Sequence, residues 1–220
     1  MPPAPADEAE LFARALALAG ASVEELAGRL EVVVGTGLHA KGKVGTLLEL
    51  ALGASGGSQA TWDFPELRVE LKTVPVDERG KPRETTFVCA VTLMDADRAE
   101  WGSSWVRAKL QRVLWVPIVM SEGAARRIGA PILWSPSAAQ EEILREDFDE
   151  IMGRIGIGGI EGLSARVGRW LQLRPKAAHG RVRTRAPGVD GDTVDTVPRG
   201  FYLRTSFTGA LLRDPGATPA

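Results

Sequence analysis

Short stretches of alternating or continuous apolar residues run through the middle of the chain, and this pattern predicts β-strands. The predicted strands cover residues 68–74, 86–92, 113–119, 131–134, 170–174 and 201–204. In the first of them, Glu70 and Lys72 share one face of the strand, whereas Val69 and Leu71 share the other. A strand at this place therefore sets a carboxylate and an ammonium group side by side.

Helical spacing of apolar residues, together with capping residues, predicts the helices. Near the N-terminus, Leu11 and Ala15 lie on one stripe before Gly20, and Ser22 with Glu25 forms a capping box for a second helix. The predicted helices cover residues 7–19, 22–30, 46–52, 104–112, 137–152, 163–167 and 207–212. Residues 35–45 and 181–199 are predicted as loops, and the glycine-broken residues 155–160 as a hinge. The fold class is therefore mixed α/β.

The length of 220 residues suits one large domain or two packed lobes. We predict a single domain over residues 1–220, with lobes 1–153 and 154–212 and a disordered tail at 213–220. No apolar run is long enough to cross a bilayer, and the N-terminus lacks a signal-peptide pattern. We therefore expect a cytoplasmic protein without membrane contact. The single cysteine, Cys89, is predicted to be a buried thiol.

The net charge of −1 argues against indiscriminate nucleic-acid binding through bulk charge. The charges are segregated, however. Residues 141–150 are rich in acidic residues, whereas all charged residues within 166–185 are basic. This distribution allows a neutral protein to present a positive surface. A solvated basic loop fits the same composition equally well.

Asp63, Glu70 and Lys72 carry the most specific chemistry in the chain. Asp63 lies in a turn-like segment close enough to fold back beside Glu70. Two carboxylates can hold a divalent cation, and a nearby ammonium group can position a water or stabilise a phosphate, as in a metal-dependent nuclease. A solvated strand face is the alternative, and the spacing alone favours it.

Residues 37–44 match most of a phosphate-binding P-loop, but Val44 stands where a magnesium-binding Ser or Thr is required. This mismatch excludes nucleotide hydrolysis by that motif. Lys41 and Lys43 remain candidates for phosphate contacts, because a glycine-rich loop lets a DNA backbone approach closely.

A series of short runs resembles, in composition and in order, the MutH family of DNA mismatch-repair endonucleases. The matching runs are residues 47–49, 52–55, 69–73, 75–77, 84–89, 112–115, 133–136, 174–178 and 198–203. The resemblance implies a restriction-endonuclease-like fold, with a mixed central sheet flanked by helices and two lobes around a DNA cleft.

The resemblance also implies an activity and its partners. Members of this family nick the unmethylated strand of double-stranded DNA, 5′ of the guanine, at hemimethylated GATC sites. They use Mg²⁺ and are activated by MutL, which responds to the mismatch sensor MutS. We expect a monomer.

The family comparison assigns the catalytic residues. Asp63 and Glu70 would bind Mg²⁺ together with the carbonyl oxygen of Leu71, and Lys72 would orient the attacking water. Glu49 would help to organise the metal or the water, although it also fits a capping box opened by Thr46.

Lys109 would lie near the scissile phosphate by the same comparison. Its helical position opposite Val106 and Leu110 is instead typical of a solvated surface lysine.

The comparison further assigns DNA contact or methylation sensing to four residues, Phe87, Arg174, Lys176 and Tyr202, which join Lys41 of the glycine-rich loop as DNA-binding candidates. Arginine can read guanine with two hydrogen bonds, and lysine mostly serves as a point charge to phosphate. Phe87 fits equally well as a core aromatic residue. The run Asp190-Gly191-Asp192 is predicted to be a turn, not a second metal site.

Two alternatives to the mismatch-repair enzyme remain open at this level. One is a free-standing GATC-specific type II restriction endonuclease. The other is a catalytically silent DNA-binding protein of the same fold.

Overall fold

The computed structural model of the chain describes residues 2–34, 40–57, 61–121, 123–177 and 181–218. Its helices are α1 (Glu8–Ala17), α2 (Val23–Arg29), α3 (Ala40–Leu52), α4 (Trp105–Leu110), α5 (Ala138–Gly156) and α6 (Thr205–Arg213). Its strands are β1 (Glu70–Val76), β2 (Thr86–Ala90), β3 (Val113–Val119), β4 (Arg127–Ile128), β5 (Ile132–Trp134), β6 (Leu171–Pro175), β7 (Thr184–Pro187), β8 (Thr193–Thr196) and β9 (Arg199–Leu203). The predicted mixed α/β class is confirmed.

The chain divides into two compact units whose segments alternate along the sequence. The first unit comprises Met1–Glu84, Gln111–Ser135 and Leu211–Pro215, and the second comprises Thr85–Leu110, Pro136–Ala210 and Gly216–Ala220. The predicted boundary after residue 153 falls inside α5, which continues to Gly156. The single domain over residues 1–220 stays a prediction.

The first unit contains a mixed sheet with helices packed against it. Strand β1 runs parallel to β3, which pairs antiparallel with both β4 and β5. Apolar side chains of α1, α2 and α3 share a buried core with this sheet, as the full burial of Leu11, Val23, Leu47, Val69 and Leu114 shows. This core fixes β1, which carries Glu70 and Lys72, against a rigid support.

Capping residues set the start of the first two helices, and the one at Ser22 was predicted from the sequence. An Asp7 side-chain oxygen accepts a 2.8 Å hydrogen bond from the Glu10 N–H at the start of α1. The Ser22 hydroxyl accepts one of 3.2 Å from the Glu25 N–H at the start of α2. Gly20, between the two helices, has a φ of 84°, a conformation in which other residues are strained.

The second unit contains the antiparallel sheet β2–β9–β6 and the hairpin β7–β8. One face of the three-stranded sheet is apolar, and Phe201 on it stacks on Phe148 of α5 with ring centroids 5.6 Å apart. Ser137 and Gln140 form a capping box at the start of α5. Cys89 is buried and forms no disulfide, as predicted.

Two predicted elements in the second unit are wrong. Residues 163–167 form turns and no helix, because the Arg204 side chain donates hydrogen bonds to the carbonyl groups of Ala165, Val167 and Gly168. The predicted loop 181–199 contains β7 and β8, whose connection includes the turn predicted at Asp190. This hairpin is short and polar, so alternation does not reveal it.

Element boundaries in the first unit also differ from the prediction. Strand β1 begins at Glu70 instead of residue 68. Arg68 follows a 3₁₀ turn and has a φ of 53°, which is a left-handed conformation outside the range of a β-strand. Helix α3 begins at Ala40, so residues 40–45 are helical and not part of a loop. The other residues of that predicted loop, 35–39, lie outside the described residues.

The C-terminal tail, predicted to be disordered, is anchored as far as Ala217. Trp134 Nε1 donates a 3.2 Å hydrogen bond to the Pro215 carbonyl, and Gln140 Nε2 donates one of 2.7 Å to the Ala217 carbonyl. Both donors are far in sequence from the carbonyl groups that they contact, so local composition does not predict these hydrogen bonds. Within the residues that the structure describes, no helix combines the length and apolar character of a membrane span.

A buried carboxylate secures the entry to β6. Asp147 of α5 is 5% exposed and accepts hydrogen bonds from three consecutive backbone N–H groups. The donors are Arg169 at 2.5 Å, Trp170 at 2.6 Å and Leu171 at 2.7 Å. Asp147 is therefore a structural residue within the acidic helix.

We predict that Asp147→Ala lowers the free energy of unfolding by about 3 kcal/mol, because buried N–H groups lose their acceptor. Urea denaturation followed by tryptophan fluorescence measures the change. Asp149→Ala, which removes an exposed carboxylate from the same helix, serves as the matched control and should have a much smaller effect. Equal effects of the two substitutions would refute the structural role of Asp147.

Candidate active site

The two edges of β1 at Glu70 and Leu71 have different partners. The Glu70 N–H donates a 3.0 Å hydrogen bond to the Arg112 carbonyl, on the side of β3. The next N–H along the chain, that of Leu71, donates one of 2.8 Å to Asp63 Oδ2. Because successive peptide groups of a strand face opposite edges, Asp63 occupies the edge of β1 away from β3. The structure thus brings the carboxylate of Asp63 to the peptide that follows Glu70.

Glu70 and Lys72 form a close ion pair on one face of β1. The distance from Lys72 Nζ to Glu70 Oε1 is 2.6 Å. Their side chains are only 12% exposed for Lys72 and 5% exposed for Glu70. This burial contradicts the alternative of a solvated strand face. A desolvated pair of this kind either stabilises the fold or serves a ligand.

The segment before β1 is held in place by its own backbone. The Asp63 carbonyl accepts hydrogen bonds of 3.1 Å from the N–H groups of both Ser55 and Gly56. A Cβ at position 56 would lie 2.0 Å from the Trp62 carbonyl oxygen, so only glycine fits there. No sequence pattern singled out Gly56 for this role.

The oxygen atoms of Asp63, Glu70 and Leu71 are of the kind that a hard divalent cation prefers. Asp63 and Glu70 supply carboxylates, and the carbonyl of Leu71 lies on the edge of β1 that carries Asp63. Mg²⁺ typically takes one or two carboxylates and keeps several waters, so this donor set fits it. Among the described residues, no three His, Cys, Asp or Glu side chains are grouped to hold a metal ion. A cation here would therefore depend on the two carboxylates and the carbonyl.

Glu49 lies in the last turn of α3, not at its start. The helix begins at Ala40, and Thr46 donates its hydroxyl to the Gly42 carbonyl at 3.2 Å, so the predicted capping box at Thr46 is wrong. Glu49 Oε1 and Thr73 Oγ1 both lie 4.0 Å from the position that a Cβ would take at Gly45. The carboxylate of Glu49 and the Thr73 side chain of β1 therefore both lie near Gly45.

Lys109 belongs to the second unit and is not the solvated residue that its helical position predicts. It is 8% exposed, and its Nζ lies 5.3 Å from the centroid of the Trp105 ring. A lysine is rarely buried without a structural or functional reason. The helix that carries it, α4, is held to α5 by an ion pair of 2.6 Å between Arg107 and Glu141.

Four of the predicted DNA-binding residues lie together on the β2–β9–β6 sheet. The rings of Phe87 and Tyr202 meet edge to face, with centroids 5.3 Å apart. Lys176 Nζ lies 4.4 Å from the Phe87 centroid, and Arg174 Cζ lies 5.9 Å from the Tyr202 centroid. Phe87 is half-buried and absent from the core, so the core interpretation is wrong. We call these four residues the cation–aromatic cluster.

Two further features complete the description of these residues. Burial raises the pKa of the Tyr202 phenol above its ordinary value, and the positive charge of Arg174 acts in the opposite direction. The phenol therefore stays protonated near neutral pH and can donate a hydrogen bond. The fifth predicted residue, Lys41, lies in α3, but its side chain is outside the described part of the structure.

Comparison with known proteins gives consistent matches over nearly the whole chain. The family model described as DNA mismatch repair enzyme MutH matches residues 52–147. A DNA mismatch repair protein MutH from Serratia proteamaculans (strain 568) is 52% identical over 219 residues, covering 96% of this chain and 95% of the relative. The protein of the same name from Yersinia pestis (strain Pestoides F) is 50% identical over 220 residues, again covering 96% and 95%.

We predict that the Arg107–Glu141 ion pair, which holds the helix of Lys109 to α5, contributes to stability in a pH-dependent way. The hydrogen bond from Arg107 lowers the pKa of Glu141 below its ordinary value of 4.5, so its contribution is present above that pH and is lost as the pH falls through the lowered pKa. Both side chains are about a third exposed, so we expect only about 0.5 kcal/mol.

The measurement is urea denaturation of the parent and of Glu141→Gln between neutral and strongly acidic pH. The difference in unfolding free energy between the two proteins should shrink as the pH falls. Glu66→Gln, which removes an exposed carboxylate, controls for the general effect of charge. A difference that grows on acidification would contradict the assignment.

Proposed function

The chain belongs to the MutH family of DNA mismatch repair enzymes, and on that premise we propose a specific nuclease activity for it. The proposed enzyme is a Mg²⁺-dependent endonuclease that nicks the unmethylated strand 5′ of the guanine at hemimethylated GATC sites. Membership of the family supports a role in DNA mismatch repair. The observation that carries the proposed chemistry is the meeting of Asp63 with β1 beside the buried Glu70–Lys72 pair.

The metal-binding residues are Asp63, Glu70 and, through its carbonyl, Leu71. The hydrogen bond from the Leu71 N–H to Asp63 Oδ2 supports this set, because it fixes one carboxylate beside the strand that carries the other. Magnesium supplies a Lewis acid that activates water and offsets negative charge on the phosphate. The Leu71 N–H keeps Asp63 oriented before and during the reaction.

Lys72 places a positive charge where the phosphate becomes most negative. Its 2.6 Å contact with Glu70 keeps the ammonium group from sampling other rotamers. Preorganised charge of this kind costs no reorganisation when the transition state forms. Glu49, whose carboxylate lies near Gly45 as the Thr73 side chain of β1 does, would orient the attacking water. Lys109 would neutralise the scissile phosphate, a role that rests on the family resemblance.

DNA recognition is assigned to the cation–aromatic cluster, with Lys41 as a phosphate contact. Arg174 would read guanine in the major groove, and Lys176 would bind a backbone phosphate. Tyr202, protonated near neutral pH, would contact the adenine amino group where a methyl group is added. Phe87 would support Lys176 and the Tyr202 ring, which it touches.

The proposed partners are double-stranded DNA and the activator MutL, with MutS acting indirectly, and the proposed enzyme is a cytoplasmic monomer. A free-standing restriction endonuclease would cut both strands vigorously without MutL. A silent DNA-binding protein would retard the DNA in a gel and never nick it. Nicking of a hemimethylated GATC plasmid with and without MutL separates these three functions.

We predict that Lys72→Ala and Asp63→Ala each lower the Mg²⁺-dependent nicking rate by at least about 100-fold, because each removes a group that acts at the phosphate. The assay follows conversion of a supercoiled plasmid to the nicked form. Lys81→Ala, an exposed lysine beyond the end of β1, is the matched control and should nick at nearly the parental rate. Parental rates in both active-site variants would refute the mechanism.

Methylation of the substrate gives a separate prediction. Hemimethylated and unmethylated GATC plasmids should be nicked, whereas a fully methylated plasmid should resist, because a methyl group on adenine N6 collides with its contact on the protein. Single-turnover rates on the three substrates measure the effect. Equal rates on methylated and unmethylated DNA would remove methylation sensing but leave the nuclease intact.

A further inference from the structure

Thr85, to which the sequence assigned no role of its own, holds the exposed Arg174 side chain in a defined place. It lies immediately before β2, and its hydroxyl oxygen accepts a 2.9 Å hydrogen bond from Arg174 Nη1 of β6. The two residues are 89 positions apart in the sequence, so the contact exists only in the folded sheet. No local sequence pattern brings these two side chains together.

The path of the Arg174 side chain explains how this contact restricts it. Strand β9 lies between β6 and β2, and Tyr202 of β9 lies in register with Phe87 of β2. Arg174 reaches across β9, with its Cζ 5.9 Å from the Tyr202 ring centroid. The Tyr202 ring restricts movement of the guanidinium group perpendicular to the guanidinium plane. The Thr85 hydroxyl fixes rotation of the guanidinium group within that plane.

The contact has no evident role in the core of the second unit. Arg174 is exposed, whereas the buried residues Leu171 and Leu173 of β6 pack on the other side of the sheet. An exposed arginine normally samples many rotamers. It loses this conformational entropy when two hydrogen bonds to a base edge hold it in one rotamer. A side chain fixed in advance loses less entropy on binding.

We propose that Thr85 is a positioning residue for DNA recognition: its hydroxyl presents the Arg174 guanidinium in the orientation that reads a base edge. The inference rests on the proposed function, in which Arg174 contacts guanine. One N–H of the guanidinium bonds Thr85, and the guanidinium has further N–H donors for the two hydrogen bonds to a base. Thr85 itself touches no DNA in this scheme.

The experiment compares binding of the full chain to a GATC duplex and to a duplex with a scrambled site, by fluorescence anisotropy in EDTA. Thr85→Val removes the hydroxyl at nearly constant volume, and Thr85→Ser restores it. Thr184→Val, a half-buried threonine on β7, is the matched control. Arg174→Ala and the double variant Thr85→Val/Arg174→Ala complete a double-mutant cycle, and thermal unfolding verifies that each variant is folded.

We expect Thr85→Val to lower the preference for GATC over the scrambled site by roughly three- to tenfold, which corresponds to the net contribution of one typical hydrogen bond. Thr85→Ser and Thr184→Val should keep the parental preference. Arg174→Ala should lower it by at least about tenfold, and Thr85→Val should add nothing in that background.

The other outcomes overturn the inference in distinguishable ways. A loss with Arg174→Ala but none with Thr85→Val refutes the role of Thr85 and leaves the proposed function standing. If Thr85→Val lowers the affinities for the GATC and the scrambled duplex equally, Thr85 has a merely structural role. An additive loss of preference in the Arg174→Ala background indicates the same. An unchanged preference in Arg174→Ala refutes base reading by Arg174 itself, and with it the premise.

Discussion

The hydrogen bond from the Leu71 N–H to Asp63 is the contact on which the proposed chemistry depends. One edge of β1 is occupied by β3, so only the other edge can receive a carboxylate. Gly56 and the 3₁₀ turn before Arg68 bring the chain back to that edge. Without this return, the buried Glu70–Lys72 pair would have no second carboxylate beside its strand with which to hold a cation.

Two different arrangements of positive charge serve the two units. In the first, Lys72 is fixed by a carboxylate and lies almost fully out of solvent. In the second, Arg174 and Lys176 are exposed and lie over aromatic rings, which restrict their movement without neutralising them. Fixed charge suits catalysis, where geometry determines the rate. Exposed charge suits binding of a polyanion.

The sequence predicted what depends on local periodicity and missed what depends on distant contacts. Alternation along the strand correctly placed Glu70 and Lys72 on one face. Helical position alone, however, assigned Lys109 to the solvent, although it is buried and its Nζ lies over the Trp105 ring. No sequence pattern linked Thr85 with Arg174, because the two residues are remote in sequence. The family resemblance named catalytic candidates, and their roles stay predictions.

The most direct test of the central claim is a crystal structure of the protein soaked in Mn²⁺, with the metal located by anomalous scattering. We expect an ion bound by the carboxylates of Asp63 and Glu70 and the carbonyl of Leu71, at about 2.0–2.3 Å as for oxygen ligands of a small divalent cation. An ion bound elsewhere, with these two carboxylates too far apart to share one, would contradict the proposed metal centre.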